Sequence, residues 1–171
     1  MRVAYKPPEP LNDDHLLDDF DCGEPALDEW LKRHARTAQA SRSARVFVAT
    51  ETDDQVVIAY YALAAAQVEP ADPTPRSLKG QAKHRPVPAI LLARLAVADE
   101  HKRGGVGKGL VKDAMLRCLA AAENVGIRVL LVHAKHEEAK AWYMQFEFEE
   151  SPTDPLHLIM LMKDLQAAVS T

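Results

Sequence analysis

The stretch that most constrains this chain runs from residue 89 to residue 122 and is predicted to form a strand, a glycine-rich turn and a long helix. Apolar residues fill positions 90–97, and after the turn at 101–109 they recur at the spacing that buries one helix face. Four glycines in the six residues 104–109 let the backbone approach a ligand closely. The first amides of a helix also lack intrahelical acceptors and carry partial positive charge. The stretch therefore predicts an anion site.

Two common phosphate-binding motifs do not fit this turn. A P-loop needs a Ser or Thr directly after its Gly-Lys pair, and here Lys108 is followed by Gly109 and Leu110. The dinucleotide fingerprint needs a third glycine where this chain has Leu110. Both motifs are excluded, so a different class of anion site is needed.

The turn instead resembles the acetyl-coenzyme A loop of Gcn5-related N-acetyltransferases (GNAT), which reads Gln or Arg, two residues, Gly, one residue, then Gly or Ala. Here the first position is Lys102, and Gly105 and Gly107 take the two small positions. The resemblance implies that the loop holds the pyrophosphate of acetyl-CoA. The implied cofactor residues are Lys102, Arg103, Gly104, Gly105, Val106, Gly107, Lys108 and Gly109.

The length and composition indicate one domain with a full core, covering residues 1–171. Hydrophobic residues make up 47% of the chain, but no apolar run reaches the length of a signal peptide core or a membrane span. We therefore expect a cytoplasmic protein. Cys22 and Cys118 fit neither a zinc pattern nor a redox pair, and no histidine spacing suggests a metal site. Cys118 is expected to be a packing residue.

The charge is unevenly distributed. Residues 9–29 contain nine acids and no Lys or Arg, whereas 32–50 and 76–85 are basic and free of acids. Such clusters can contact phosphates whatever the net charge, because charges act over about 8–10 Å. The alternative is that both stretches are solvated surface. The candidates for contact with a nucleic acid are Arg36, Arg42 and Arg85.

Periodicity and turn residues predict a mixed sheet. Antiparallel strands come first, and the strand, helix and strand around the glycine turn must form a parallel, right-handed unit. A long proline-rich connection is expected at 70–88. The predicted strands are 2–5, 46–50, 56–63, 90–97, 126–134 and 156–162, and the predicted helices are 25–39, 110–122 and 136–146.

Segments spread over nearly the whole chain resemble the acetyltransferase toxins of bacterial type II toxin–antitoxin modules. They are residues 20–23, 27–31, 57–63, 88–97, 131–135 and 141–143. The resemblance implies an α/β (α+β) protein with the GNAT fold, a mixed and mostly antiparallel sheet with a parallel strand–helix–strand unit at the acetyl-CoA site. Two positions depart from the family pattern, because Lys102 replaces Gln or Arg and Glu147 stands where a Gly usually separates two aromatics.

The resemblance also implies a function and partners. These toxins transfer acetyl from acetyl-CoA to the α-amino group of aminoacyl-tRNA and so block translation. A ribbon-helix-helix antitoxin neutralises the toxin, and operator DNA is bound only through the complex, which acts as a repressor. A homodimer is expected, and no metal.

The chemistry needs a proton for the departing thiolate. An α-amino group titrates near 8, so a strong base is not obligatory, and a phenol near 10 can protonate a thiolate near 8.5 with a small uphill step. Tyr143 matches the tyrosine that the family uses as general acid, and the alternative is a core aromatic. The backbone of Leu95, Ala96 and Val97 matches the positions that pair with the pantetheine arm.

Four further candidate side chains lie on predicted strands. Arg94 interrupts an apolar strand, so it contacts either substrate or a structural partner. Tyr60 and Tyr61 are adjacent on a strand, so only one is expected to face the core. His133 is expected to be a core or rim histidine.

Two further functions remain compatible with the sequence. One is an acetyltransferase for a small amine or a protein N-terminus, which would not need the basic stretches. The other is a catalytically silent protein that binds acyl-CoA or an antitoxin, which the departures at Lys102 and Glu147 would permit.

Overall fold

The computed structural model describes residues 4–69, 75 and 85–170. Seven strands and five helices occur in those ranges, together with a π-helical turn at Trp30–His34 and a 3-10 turn at Asp99–His101. The strands are β1 (Glu9–Pro10), β2 (Arg45–Thr50), β3 (Val57–Val68), β4 (Val87–Val97), β5 (Val129–His133), β6 (Glu149–Glu150) and β7 (His157–Leu161). The helices are α1 (Pro25–Glu29), α2 (Ala35–Ala40), α3 (Val106–Ala122), α4 (Glu137–Met144) and α5 (Met162–Val169).

The strands form a mixed sheet in the order β1-β2-β3-β4-β5-β7-β6. Strands β4 and β5 are parallel, and β2–β3 and β5–β7 are antiparallel. The parallel ladder pairs Ala89 with Val129 and ends at Leu92 with Val132. Leu95, Ala96 and Val97 lie beyond its last pair. The predicted fold class, with a parallel unit around α3, is confirmed.

Backbone contacts divide the chain into two units, and the glycine turn lies in the first, which comprises Met1–Ala64 and Ala93–Ala114. A hydrophobic cluster joins the helical segment from α1 to α2 with β2 and β3. Leu31 is fully buried there, which contributes roughly 1.5–3 kcal/mol to folding. The same cluster also contains Cys22, which precedes α1, and Ala96, near the end of β4.

Tyr60 and Tyr61 project to opposite faces of β3, yet both are fully buried. The Tyr60 hydroxyl donates to the Leu27 carbonyl at 2.7 Å, and the Tyr61 hydroxyl donates to the Asp113 carboxylate. The expectation that only one of them faces a core is therefore wrong. Helices cover this part of the sheet on both sides, so neither face is left to solvent.

The second unit comprises Ala65–Leu92 and Met115–Thr171. Its core is made by β4, β5 and β7, whose buried residues include Ala89, Val129, Leu131 and Ile159. Helix α5 buries Leu165 completely. Neither α5 nor the two-residue strand β6 was predicted, because both are short and directly follow or precede other elements.

Three sequence expectations need comment. Of the strand predicted at 2–5, residues 2 and 3 lie outside the described residues, Tyr5 forms an isolated antiparallel bridge with Glu51, and the first described strand is β1. Residues 1–3 and most of the connection at 70–88 lie outside the described residues. The helix predicted at 25–39 is present, but a π-helical turn separates α1 from α2. In the parts described, none of the helices is both long and apolar enough to cross a bilayer.

Candidate functional site: the glycine turn before α3

The glycine turn has an alternating backbone that suits an anion. Arg103 and Gly105 have positive φ angles of 69° and 82°, and Gly104 between them does not. Successive amides in such alternating conformations form a concave donor surface. The first α3 hydrogen bond runs from the Gly109 amide to the Gly105 carbonyl at 3.1 Å. The amides between these residues open a helix of 17 residues and lie at its positive end.

The glycines leave the outer surface of the turn open. A β-carbon built on Gly105 or Gly109 would meet no atom within 4 Å, and one on Gly104 would meet only the His101 carbonyl oxygen at 3.8 Å. Packing inside the protein therefore does not require a glycine at position 109. A ligand that approaches the backbone would require it.

A depression of about 200 Å³ adjoins the turn within the first unit. Its walls include Ala49 of β2 and the N-terminal segment, and its floor includes three of the glycines and Leu110. Lys6 lies on one wall, with its ammonium 3.4 Å from Glu9. The turn thus combines a positive helix end with accessible volume.

Lys102, predicted to bind the cofactor, lies at the start of the turn, but its side chain is engaged within the protein. Its ammonium contacts the Asp99 carboxylate at 2.7 Å and donates to the Cys22 carbonyl at 2.6 Å. The hydrogen bond to Asp99 is the main cause of a raised pKa, so Lys102 stays charged. Arg103 and Lys108 are exposed on either side of the glycines.

Tyr143, the predicted general acid, lies on α4 in the second unit and is 9% exposed. The helix begins with an N-cap in which His136 Nδ1 accepts from the Ala139 amide at 3.1 Å. The Tyr143 ring meets Trp142 and Phe148 edge-on, with centroids 5.0 and 6.2 Å away. The catalytic role of Tyr143 stays a prediction.

Arg94 has a structural partner. Its guanidinium lies 4.2 Å from the centroid of the Trp30 ring, a cation–π contact, and Trp30 in turn stacks on Tyr60 at 6.0 Å. This resolves how a cation is accommodated in an apolar strand. The contact leaves a substrate role for Arg94 as a prediction, since Arg94 and Trp30 are both half-buried.

The three arginines predicted to contact tRNA are all exposed. The Arg36 guanidinium donates to the His15 carbonyl at 2.6 Å and to the Asn12 carbonyl at 3.4 Å, so it also supports a turn. Arg42 follows α2 with a φ of 64°. Arg85 lies just before β4, and the other basic residues of its stretch, at 76–84, lie outside the described residues.

Two histidines at neighbouring strand ends, His133 of β5 and His157 of β7, stack on each other. His133 is exposed, and its ring stacks on His157 at 3.9 Å. Partial desolvation of the His133 ring by the groups packed against it, followed by the nearby His157, lowers the pKa of His133. Within the described ranges, no three potential ligands come together to hold a metal ion.

Sequence reasoning missed the partners of Lys102. The three-residue spacing from Asp99 to Lys102 was the available signal, because it permits an ion pair across one helical turn. The Cys22 carbonyl could not be found in this way, since a backbone acceptor distant in sequence leaves no trace in residue types.

Comparison with known proteins agrees with this geometry. Residues 42–150 match the acetyltransferase (GNAT) domain. The chain therefore belongs to the GNAT acetyltransferase family, and the predicted family is confirmed. It is 42% identical to the tRNA-acetylating toxin of Mycobacterium tuberculosis over 166 residues, which are 97% of this chain and 98% of that protein.

Two solved structures of the toxin AtaT are also similar. One, complexed with acetyl-methionyl-tRNAfMet, has a TM-score of 0.87 and 28% identity, covering 95% of this chain and 98% of AtaT. The other is a tyrosine-to-phenylalanine mutant bound to acetyl-CoA and to the C-terminus of the antitoxin AtaR. It has a TM-score of 0.82 and 26% identity, covering 98% and 99% of the two chains.

Proposed function

We propose that this protein is a toxin that transfers acetyl from acetyl-CoA to the α-amino group of aminoacyl-tRNA and thereby inhibits translation. The observation that carries the proposal is an open, glycine-rich turn at a helix N-terminus in a chain 42% identical, over 97% of its length, to a tRNA-acetylating toxin. The same coverage supports one acetyltransferase domain over residues 1–171. A tRNA substrate would place the enzyme in the cytoplasm.

The turn is assigned to the pyrophosphate of acetyl-CoA. The amides from Arg103 to Lys108, which precede the first α3 hydrogen bond, would donate to its oxygens, and the exposed side chains of Arg103 and Lys108 would add charge. The backbone of Leu95, Ala96 and Val97 would pair with the pantetheine arm as an added strand, which is consistent with their position past the β4–β5 ladder.

The reaction forms a C–N bond and breaks a C–S bond. The neutral α-amino group attacks the thioester carbonyl, coenzyme A leaves as a thiolate, and the amine loses a proton to solvent water as the amide forms, which balances the proton that the general acid gives to the thiolate and later regains from solvent. Tyr143 is assigned as the acid that protonates the thiolate, since a phenol and a thiol differ by only about 1.5 pKa units. Support comes from the family resemblance and from a helix position fixed by aromatic packing.

Neutralisation by an antitoxin is proposed from the similarity to AtaT, whose mutant structure contains the C-terminus of AtaR. An antitoxin of the ribbon-helix-helix type, contact with operator DNA through the complex and a homodimeric toxin are the family's arrangement. Size-exclusion chromatography with light scattering would give the mass of the free protein, and a mass of 18.9 kDa would contradict the dimer.

The proposal is tested by transfer of labelled acetyl from acetyl-CoA to charged tRNA, with uncharged tRNA and free amines in parallel. Label on charged tRNA alone is expected. Label on free amines alone would indicate a small-amine acetyltransferase. No label, with acetyl-CoA still bound, would indicate a silent binding protein.

The same assay tests Tyr143. Tyr143→Phe keeps the ring and its packing, so it should bind acetyl-CoA normally and lose roughly 10²–10⁴-fold in turnover. Trp142→Phe on the same helix is the matched control for aromatic packing. Near-complete turnover by Tyr143→Phe would contradict the general-acid assignment.

Contact with tRNA through Arg36, Arg42 and Arg85 predicts a salt-dependent affinity. The double variant Arg42→Glu, Arg85→Glu should weaken tRNA binding most at low salt, lowering the slope of log K against log salt by roughly 0.7–0.9 per lost phosphate contact. Arg36 is left unchanged in this test because its guanidinium also supports the turn at Asn12 and His15. Lys163→Glu on α5 is the exposed control, and an equal loss at all salt concentrations would argue against phosphate contacts.

A further inference from the structure

We propose that Lys102 is a positioning residue that ties the glycine turn to the segment 21–24, and that it acts on acetyl-CoA binding through the turn rather than through a phosphate contact. This inference rests on the proposed use of the turn for acetyl-CoA. The residues that carry it all lie in the first unit. We call the group formed by Lys102, Asp99 and the Cys22 carbonyl the Lys102 clasp.

The clasp joins two segments that are distant in the sequence. The Lys102 ammonium bridges the Asp99 carboxylate, at 2.7 Å, and the Cys22 carbonyl oxygen, at 2.6 Å. Lys102 directly precedes Arg103, whose φ of 69° begins the alternating backbone of the turn. The contacts of the Lys102 side chain therefore restrain the backbone next to the first amide of the proposed anion site.

Asp99 interlocks with the same segment through its backbone and its carboxylate. Its amide donates to the Asp21 carbonyl at 2.8 Å. A β-carbon on Gly23 would lie 3.3 Å from both carboxylate oxygens of Asp99, so the segments that contain Gly23 and Asp99 approach each other closely. Gly23 has a φ of 87°, and its amide donates to the Asp21 carboxylate at 3.0 Å.

The segment 21–24 is itself anchored to α1. The Cys22 amide donates to the Asp28 carboxylate at 2.9 Å, and the Cys22 side chain is buried in the hydrophobic cluster. The glycine turn is thus connected through two charged side chains to the first turn of α1. This is a rigid support for amides whose directions decide whether they converge on one anion.

The geometry disfavours a direct phosphate contact by the Lys102 ammonium. Two of its three donors are directed at Asp99 and Cys22, and the Asp99 carboxylate neutralises its charge. Lys102 and Asp99 are 48% and 55% exposed, so the ion pair alone contributes little to stability. The ion pair would instead orient the glycine turn, which explains why a Lys is compatible with a position where the family has Gln or Arg.

The test measures acetyl-CoA binding by calorimetry for Lys102→Met, Asp99→Asn and the double variant. If the clasp orients the turn, each single variant should weaken acetyl-CoA binding by about three- to tenfold, and the double variant should be no weaker than the worse single one. Lys102→Arg, which can span the same acceptors, should restore most of the affinity. Arg33→Met, which removes an exposed cation 3.6 Å from Glu29, is the control and should bind like the wild type.

If the Lys102 ammonium contacted phosphate directly, Asp99→Asn would change the affinity for acetyl-CoA in the opposite direction. That substitution removes a negative charge and releases the ammonium, so acetyl-CoA binding would tighten while Lys102→Met weakened it. This result, or wild-type affinity in all variants, would overturn the clasp. Asp99→Asn is nearly isosteric, so it still decides the sign if Lys102→Met fails to fold.

Steady-state kinetics supply a readout that a purely structural role would not move. The clasp predicts a raised KM for acetyl-CoA, with the KM for aminoacyl-tRNA and kcat at saturating acetyl-CoA retained. An equal loss in all three would indicate general damage and would contradict the proposal. Absence of acetyl-CoA binding by the wild type would instead refute the proposed function, so the two failures are distinguishable.

Discussion

Glu147 is the clearest place where one substitution should stabilise the protein. It follows the end of α4 with a φ of 69°, and its amide donates to the Met144 carbonyl at 3.2 Å. The chain changes direction at this residue, and the ring of Phe148, which is 3% exposed, packs against Tyr143. A left-handed conformation costs an L-residue roughly 1–2 kcal/mol, and the greater chain entropy of an unfolded glycine offsets about 0.5–1 kcal/mol of the relief. Glu147→Gly should therefore stabilise the fold by about 0.5–1 kcal/mol.

Thermal and urea unfolding of matched variants would test this value. For a chain of this size, about 1 kcal/mol corresponds to roughly 2–4 °C in Tm, so Glu147→Gly should raise Tm by about 1–4 °C. Glu147→Ala is the control, because it removes the carboxylate near the C-terminus of α4 but keeps a β-carbon at a positive φ. If Glu147→Ala stabilised as much as Glu147→Gly, the helix dipole and not the backbone would be the cause. A lower Tm for Glu147→Gly would refute the reasoning altogether.

Three further predictions concern glycine, cysteine and histidine. Gly109→Ala should raise stability by up to about 1 kcal/mol, because α3 gains a better helix former, yet weaken acetyl-CoA binding measured by calorimetry; unchanged binding would show that no ligand approaches this position. Cys22 and Cys118 should resist iodoacetamide at pH 8 until the protein is unfolded, because burial raises their pKa values to about 11 and about 12; mass spectrometry of the native protein with both thiols alkylated would contradict this. Because the pKa of His133 is lowered in the folded protein, the fold favours the neutral imidazole, and the stability that is present above pH 6.5 is lost as pH falls below that value. His133→Asn should therefore flatten the decline in the urea midpoint from pH 7 to pH 5. An unchanged decline would argue against this contribution.

Much of the fold was predictable because its signals are local. The apolar run of β4, the glycines and the spacing in α3 lie within one stretch of sequence, and handedness then requires a parallel neighbour for β4. The position of the glycine turn before α3 was predictable for the same reason. The burial of both Tyr60 and Tyr61 was not, because it depends on which elements cover each face of the sheet.

The partners of charged residues were the least predictable part of the site. The sequence predicted that Lys102 binds the cofactor and left Arg94 open between substrate and a structural partner. In the structure Lys102 contacts Asp99 and Cys22, and Arg94 contacts Trp30. A sequence shows that a cation stands beside a binding motif but does not show where its long side chain ends. The ring of Trp30 and the carbonyl of Cys22 are brought close by packing of residues that are far apart in the chain.

The contacts of Lys102 and the backbone conformation of Glu147 show how the two departures from the family pattern fit this fold. Lys102 needs only to reach two acceptors to hold the turn, and its ammonium has three donors and reaches both. Glu147 needs only to adopt a conformation that glycine adopts more cheaply, and the strain of about 1 kcal/mol is small beside the 5–15 kcal/mol that typically stabilises a domain. Neither residue removes a donor from the glycine turn, whose amides belong to the backbone. The two departures therefore leave the amides of the glycine turn in place, and transfer of acetyl to charged tRNA, rather than the identity of these two side chains, should decide whether the enzyme is active.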